Sequence, residues 1–243
     1  MVAGSIPAGP TLHHATGGMP YHALIPAAGN GFRFGAPTPK QYLMLNGKPV
    51  IQHALDRLQA YFTLQQTYVV LAPDDHWFEQ AVTGSRGVTP LRCGGVTRAQ
   101  SVRNALEHLQ HIDADDWVVV HDAVRPCLDR DASLRLQDQL ADDDVGGFLA
   151  VPVSDTLKRL SDDARVVQTE SRVSLWRAQT PQMFRYGVLR RAFALPGLDE
   201  RTDESHAVEA LGLTPRGIAG SACNVKITYP DDLTLAAAIL SAG

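Results

Sequence analysis

The apolar run at residues 23–26 leads into a glycine-rich loop, and beyond it Ile51, Ala54, Leu55 and Leu58 recur at the spacing of one helical face. This is a strand, loop, helix unit. Residues 68–72 predict a second strand before a helical segment at 74–81. Residues 88–93 predict a third, ahead of a helix carrying Val102, Ala105, Leu106 and Leu109 at i, i+3, i+4 and i+7. Residues 117–121 are continuously apolar, as befits a strand buried on both faces of a parallel sheet. Such alternation predicts an α/β fold, a mostly parallel sheet with helices on both faces and its ligand at the carboxyl ends of the strands. The functional loops are then 27–40, 94–101 and 122–126.

The rhythm breaks at about residues 153–175, where charged positions interrupt it while Thr156, Val166, Val167, Thr169 and Val173 keep a β-branched character. That pattern predicts a projecting β-arm. The core resumes near Thr180, with a helix at 203–211, a strand ending at 226–228 and a last helix at 231–240. Residues 1–19 hold Gly4, Pro7, Gly9, Pro10, Gly17 and Gly18 without periodic hydrophobics, and read as a flexible leader or expression remnant before one domain spanning 20–243. There is no internal repeat.

At 243 residues, 44% hydrophobic and 20% charged, the chain has the composition of a globular protein with a sizeable core. A net charge of -4 offers no general attraction for nucleic acid or anionic membranes, so any phosphate site must be local. No stretch approaches the ~20 apolar residues of a membrane span, and the start lacks a secretory signal. Cys93, Cys127 and Cys223 are far apart and without metal-ligand spacing, which suits a cytoplasmic protein and argues against zinc.

The first loop reads Pro26, Ala27, Ala28, Gly29, Asn30, Gly31, Phe32, Arg33, Phe34, Gly35, then Pro39, Lys40, Gln41 and Tyr42. Its glycines let backbone N–H groups approach phosphate oxygens, and Arg33 and Lys40 add positive charge. The P-loop pattern is absent, and the dinucleotide fingerprint fits only in part because Phe34 stands where a glycine or alanine belongs. The loop resembles the G-x-G-x-R and P-K start of nucleotidyltransferases. A second segment, Val120, His121, Asp122, Ala123, Val124, Arg125 and Pro126, resembles the V-H-D-A-x-R-P stretch of the 2-C-methyl-D-erythritol 4-phosphate cytidylyltransferase family. At a strand end, Asp122 suits a Mg²⁺ or other divalent ion bridging phosphates, and Arg125 suits a second phosphorylated substrate.

Further matches run in family order from Tyr21 to Leu240. The resemblance implies a Rossmann-like fold and a reaction between CTP and 2-C-methyl-D-erythritol 4-phosphate that releases pyrophosphate, in non-mevalonate isoprenoid biosynthesis. It implies nucleotide binding by Pro26, Ala27, Ala28, Gly29, Gly31, Gly94, Gly95, Arg98 and Ser101, the lesser alternative for Arg98 and Ser101 being to cap and begin the following helix. It implies catalysis by Arg33, Lys40 and Lys226, and acceptor binding by Ala123, Arg125, Thr156, Arg172, Thr180 and Thr202. Many relatives carry an acid where Val96 stands, so base selection here rests on backbone groups. A homodimer joined through the arm is also implied, since a lone two-stranded arm needs a partner surface. The chemistry needs no nucleophile and base pair, and His121 reads as structural. The alternatives are another cytidylyltransferase or sugar nucleotidyltransferase, or a nucleotide-binding protein without turnover.

Overall fold

Local signals in the sequence set where each element begins and ends. In the computed structural model, which describes residues 20–29, 38–84, 87–197 and 200–242, strand β1 (Tyr21–Pro26) comes first. A 3₁₀ turn (Lys40–Tyr42), the two-residue strands β2 (Met44–Leu45) and β3 (Lys48–Pro49), and helix α1 (Val50–Tyr61) follow. Next are β4 (Leu64–Val70), the single turn α2 (Phe78–Ala81), β5 (Val88–Leu91), α3 (Arg98–His108) and β6 (Trp117–Val120). Then come α4 (Arg130–Leu140), β7 (Gly146–Pro152), β8 (Leu157–Leu160), β9 (Val166–Glu170) and β10 (Trp176–Arg185). Helices α5 (Tyr186–Ala194) and α6 (Glu204–Glu209), strand β11 (Arg216–Ala219) and helix α7 (Pro230–Ala242) close the chain.

The main sheet has the order β11-β7-β10-β6-β1-β4-β5. All its strands run one way except β10, which pairs antiparallel with both β6 and β7. The pleat divides the core. From β1, Ala23 and Ile25 join Leu55, Leu58, Leu136 and Leu140 on one face, while Leu24 joins Val102, Leu106, Leu189 and Phe193 on the other. Burying each such leucine contributes roughly 1.5–3 kcal/mol. The mostly parallel sheet clad on both sides is thus as the apolar runs predict. Strands β8 and β9 form a separate two-stranded hairpin within the expected arm.

Two expectations fail for identifiable reasons. The helix expected at 74–81 shrinks to α2 because the Asp75 carboxylate accepts from the N–H groups of Trp77 and Phe78, holding the preceding backbone in a turn. The strand expected to end at 226–228 is absent there, and the backbone is irregular. Ile227 N–H makes one bond, to the Val124 carbonyl, while the N–H groups of Thr228 and Tyr229 both go to the Asp232 carboxylate at the start of α7. That single bond carries Lys226 across to the end of β6. Strands β7 and β11 and helices α4 and α5 were not anticipated. The leader at 1–19, with Gly31 and Arg33, lies outside the described residues, none of whose helices is long and apolar enough to cross a membrane.

Candidate active site

Because β1, β4, β5 and β6 are parallel, their carboxyl ends open on one edge of the sheet. There they surround a cleft of about 650 Å³. The end of β1 contributes Pro26, Ala27, Ala28 and Gly29; the loop after β5 contributes Gly94, Gly95 and Arg98; the end of β6 contributes Asp122 and Ala123. Lys40 and Lys226 reach the same cleft from distant parts of the chain, as does Ser101 from α3.

The first wall is pinned in place. Ala27 N–H donates to the Val70 carbonyl at 2.8 Å, and the buried Gln41 amide donates to the carbonyls of Ala27 and Gly29 at 2.8 and 3.1 Å. The opposite wall approaches closely. A Cβ on Gly94 would stand 2.3 Å from the Ala28 Cβ and 2.7 Å from the Leu71 carbonyl, so only glycine fits. Gly95 N–H donates to the Ser101 hydroxyl, which in turn donates to the Thr97 carbonyl, both at 3.0 Å. Ser101 therefore braces the glycine turn, while Thr97 caps α3 by accepting from Gln100 N–H. Val96 projects its side chain into solvent.

Asp122 is the electrostatic centre. It is buried, yet its Oδ1 accepts from Arg98 Nε at 3.0 Å and its Oδ2 meets Lys226 Nζ at 2.9 Å and Arg125 Nε at 3.5 Å. Burial works to raise its carboxyl, but the charges of Arg98, Lys226 and Arg125 overcome this and hold it well below the usual carboxylate range. Asp122 is ionised at any ordinary pH. Lys40 lies alongside, donating through Nζ to the Ile227 carbonyl at 2.8 Å.

Behind Asp122 a neutral clamp fixes the loop. The wholly buried His121 contacts the Arg125 carbonyl through Nε2 at 3.1 Å and the Thr180 hydroxyl through Nδ1 at 3.0 Å. A carbonyl only accepts, so Nε2 carries the proton and Nδ1 accepts from Thr180. The Thr180 oxygen in turn accepts from Asp122 N–H at 3.0 Å. Burial pushes the His121 pKa from 6.5 down to about 4. A folded-state pKa lowered in this way gives stability that is full above 6.5 and is lost as pH falls toward 4, a contribution of about 3 kcal/mol. Urea unfolding across that window should show this loss and a much shallower slope in His121→Gln. His22, also held low by burial, leaves a residual slope. An unchanged slope in the variant would remove His121 from this role.

Not every candidate residue meets in the cleft. Thr180 is buried with its hydroxyl spent behind Asp122, and Arg125 donates inward to the Asn224 carbonyl at 2.7 Å. Thr202 is exposed before α6. Thr156 and Arg172 lie on the exposed arm, where Arg172 donates to the Ser154 carbonyl. Among the described residues no three His, Cys, Asp or Glu side chains group as a metal site. Among the described residues, Asp122 and the exposed Asp74 bring carboxylates to the cleft lining, and Asp122 is the one at the end of β6. Such a donor set fits Mg²⁺, which binds through one or two carboxylates plus phosphates and retained waters.

Sequence reasoning missed Gln41, Asp74 and Glu204, which brace, line and back the cleft respectively. Gln41 and Glu204 stand inside the motifs that drew attention, one beside Lys40 and one two residues beyond Thr202.

Comparison with known proteins identifies the family. The family model described as IspD, 2-C-methyl-D-erythritol 4-phosphate cytidylyltransferase, matches residues 21–242. The chain is similar to the 2-C-methyl-D-erythritol 4-phosphate cytidylyltransferase of Dechloromonas aromatica (strain RCB), 53% identical over 229 residues that cover 92% of this chain and 99% of the relative. It is 55% identical over 220 residues to the protein of the same name from Laribacter hongkongensis (strain HLHK9), covering 90% and 95% of the two chains. The crystal structure of the Francisella tularensis enzyme of that name superposes with a TM-score of 0.78 at 33% identity, over 90% of this chain and 99% of the other. With the match running from β1 to α7, the chain belongs to the 2-C-methyl-D-erythritol 4-phosphate cytidylyltransferase family.

Proposed function

We propose that this chain transfers CMP from CTP to 2-C-methyl-D-erythritol 4-phosphate in non-mevalonate isoprenoid precursor biosynthesis, giving 4-diphosphocytidyl-2-C-methyl-D-erythritol and pyrophosphate. The observation that carries the reading is the cationic cluster around Asp122 at the cleft, with Lys226 at 2.9 Å, in a chain of this family. A cleft walled by backbone and closed by lysines suits a triphosphate. A phosphate oxygen of the acceptor attacks the α-phosphorus in line, forming one P–O bond as the bond to the β-phosphate breaks and pyrophosphate leaves with the electron pair. The nucleophile is already an anion, so no general base is required. The rate comes from positioning and from neutralising charge that develops on the α-phosphoryl oxygens. Lys40 and Lys226 supply that charge, together with Arg33 from outside the described residues. A Mg²⁺ ion held by Asp122 would neutralise phosphate charge when bound.

Acceptor recognition by Thr156 and Arg172 is part of the proposal, and it requires a second copy of the chain. The arm is a two-stranded sheet with Val166 and Val167 each 61% exposed and Val173 80% exposed. A hairpin of this kind is marginal alone in water, and a symmetric dimer that clasps two arms would cover it. A cytoplasmic location is in keeping with the free thiols of Cys93, Cys127 and Cys223.

The tight passage between Ala28 and Gly95, where Gly94 packs closely on Ala28, would present backbone carbonyls to the cytosine exocyclic amine. Uracil places an acceptor there and leaves two acceptors facing each other. Pyrophosphate release with the acceptor present should therefore favour CTP over UTP by at least ~10-fold in kcat/KM. Equal efficiency would favour a broader sugar nucleotidyltransferase.

A further inference from the structure

Glu204 is the first residue of α6 and its side chain is wholly buried. It receives both terminal nitrogens of Arg98, Nη1 at 2.7 Å and Nη2 at 3.1 Å. The third nitrogen of the same guanidinium, Nε, donates to Oδ1 of Asp122 at 3.0 Å. A guanidinium is a rigid planar fork, so fixing one end fixes the direction of the other. The start of α6 is itself anchored to β10. Gln182 accepts from Ser205 N–H at 2.8 Å and donates to the Asp203 carboxylate at 3.0 Å.

Without Glu204, Arg98 has two competing partners in reach of the cleft it lines. It can pair with both oxygens of Asp122, withdrawing Oδ2 from Lys226, or it can turn to the triphosphate. We propose that Glu204 is a positioning residue for the transfer reaction: it holds Arg98 by its far edge, so that Arg98 orients Asp122 with Oδ2 toward Lys226 and the cleft. This rests on the function proposed above. The same arrangement assigns Arg98 to the support of Asp122 more than to the nucleotide.

The test compares wild type, Glu204→Gln, Arg98→Met and the double variant. Glu204→Gln should lower kcat by at least ~10-fold, the loss typical of removing a supporting hydrogen-bond partner at a catalytic centre, while the KM for CTP changes by less than ~3-fold. If Glu204 acts only through Arg98, adding Glu204→Gln to Arg98→Met should cost no further turnover. A purely structural carboxylate would instead lower thermal stability and leave kcat alone, and that result would overturn the proposal. Should Glu204→Gln fail to fold, Glu204→Asp carries the test, since it keeps the charge but shortens the reach by one methylene. If wild type itself does not transfer CMP, the functional reading falls. Crystal structures of wild type and variant then decide the clamp: Asp122 turned to give both oxygens to Arg98 supports it, and an unmoved Asp122 overturns it.

Discussion

Asp122→Asn will lower turnover by at least ~10-fold and reduce stability at pH 7 by ~3–5 kcal/mol, the cost of leaving a buried ion pair with one partner. The substitution keeps the shape of the side chain and removes its charge. It also sets an NH₂ donor among the donors of Arg98, Arg125 and Lys226, which converge on the two carboxylate oxygens at 3.0, 3.5 and 2.9 Å. One amide oxygen cannot accept from all three, so the cluster must open. The pH dependence has a definite sign. A carboxyl held below its ordinary 3.8 contributes stability that is full above 3.8 and is lost only in stronger acid, so the variant should differ from wild type across the neutral range. Denaturant unfolding and steady-state turnover at pH 7 measure both effects. Wild-type turnover in the folded variant would deny Asp122 its place in the site.

Mixing two inactive variants is expected to restore about a quarter of wild-type activity. Lys40 lines the cleft, whereas Arg172 lies on the arm and bonds within it to Ser154. If the arm completes the neighbouring subunit's acceptor site, Lys40→Ala and Arg172→Ala damage different halves of one composite site. Random exchange makes about half the dimers mixed, each with one intact site and one doubly damaged site, hence a quarter of wild type by symmetry. Each variant alone should stay nearly inactive. Proven exchange without recovery, or an active monomer at assay concentration, would show that the arm serves its own subunit.

Much of this site was legible in the sequence because its parts are local. The glycine loop after β1, the end of β6 and the turn before α3 each occupy a few consecutive residues whose types state their geometry, and the apolar run through Val119 betrays a strand buried on both faces. The partnerships were not legible. Arg98 and Glu204 are 106 residues apart and Lys40 and Ile227 are 187 apart, and nothing in either neighbourhood announces the pairing. The same limit explains the misread segment at Lys226. Its β-branched neighbours suit a strand, but Asp232 captures the N–H groups of Thr228 and Tyr229 to start α7. Thr180, legible as a member of the site, proves to act from behind it through the Asp122 backbone.

The central claim is that the cleft supports direct transfer of the cytidylyl group between two phosphates, with lysines and no protein nucleophile. The stereochemical course at the α-phosphorus tests it most directly. Wild type would be given a single diastereomer of CTP carrying sulfur on the α-phosphate, together with 2-C-methyl-D-erythritol 4-phosphate, and the product's configuration read by ³¹P NMR. One in-line displacement predicts inversion. Retention would require a covalent nucleotidyl-enzyme and would contradict the account, as would failure of wild type to form the diphosphate product.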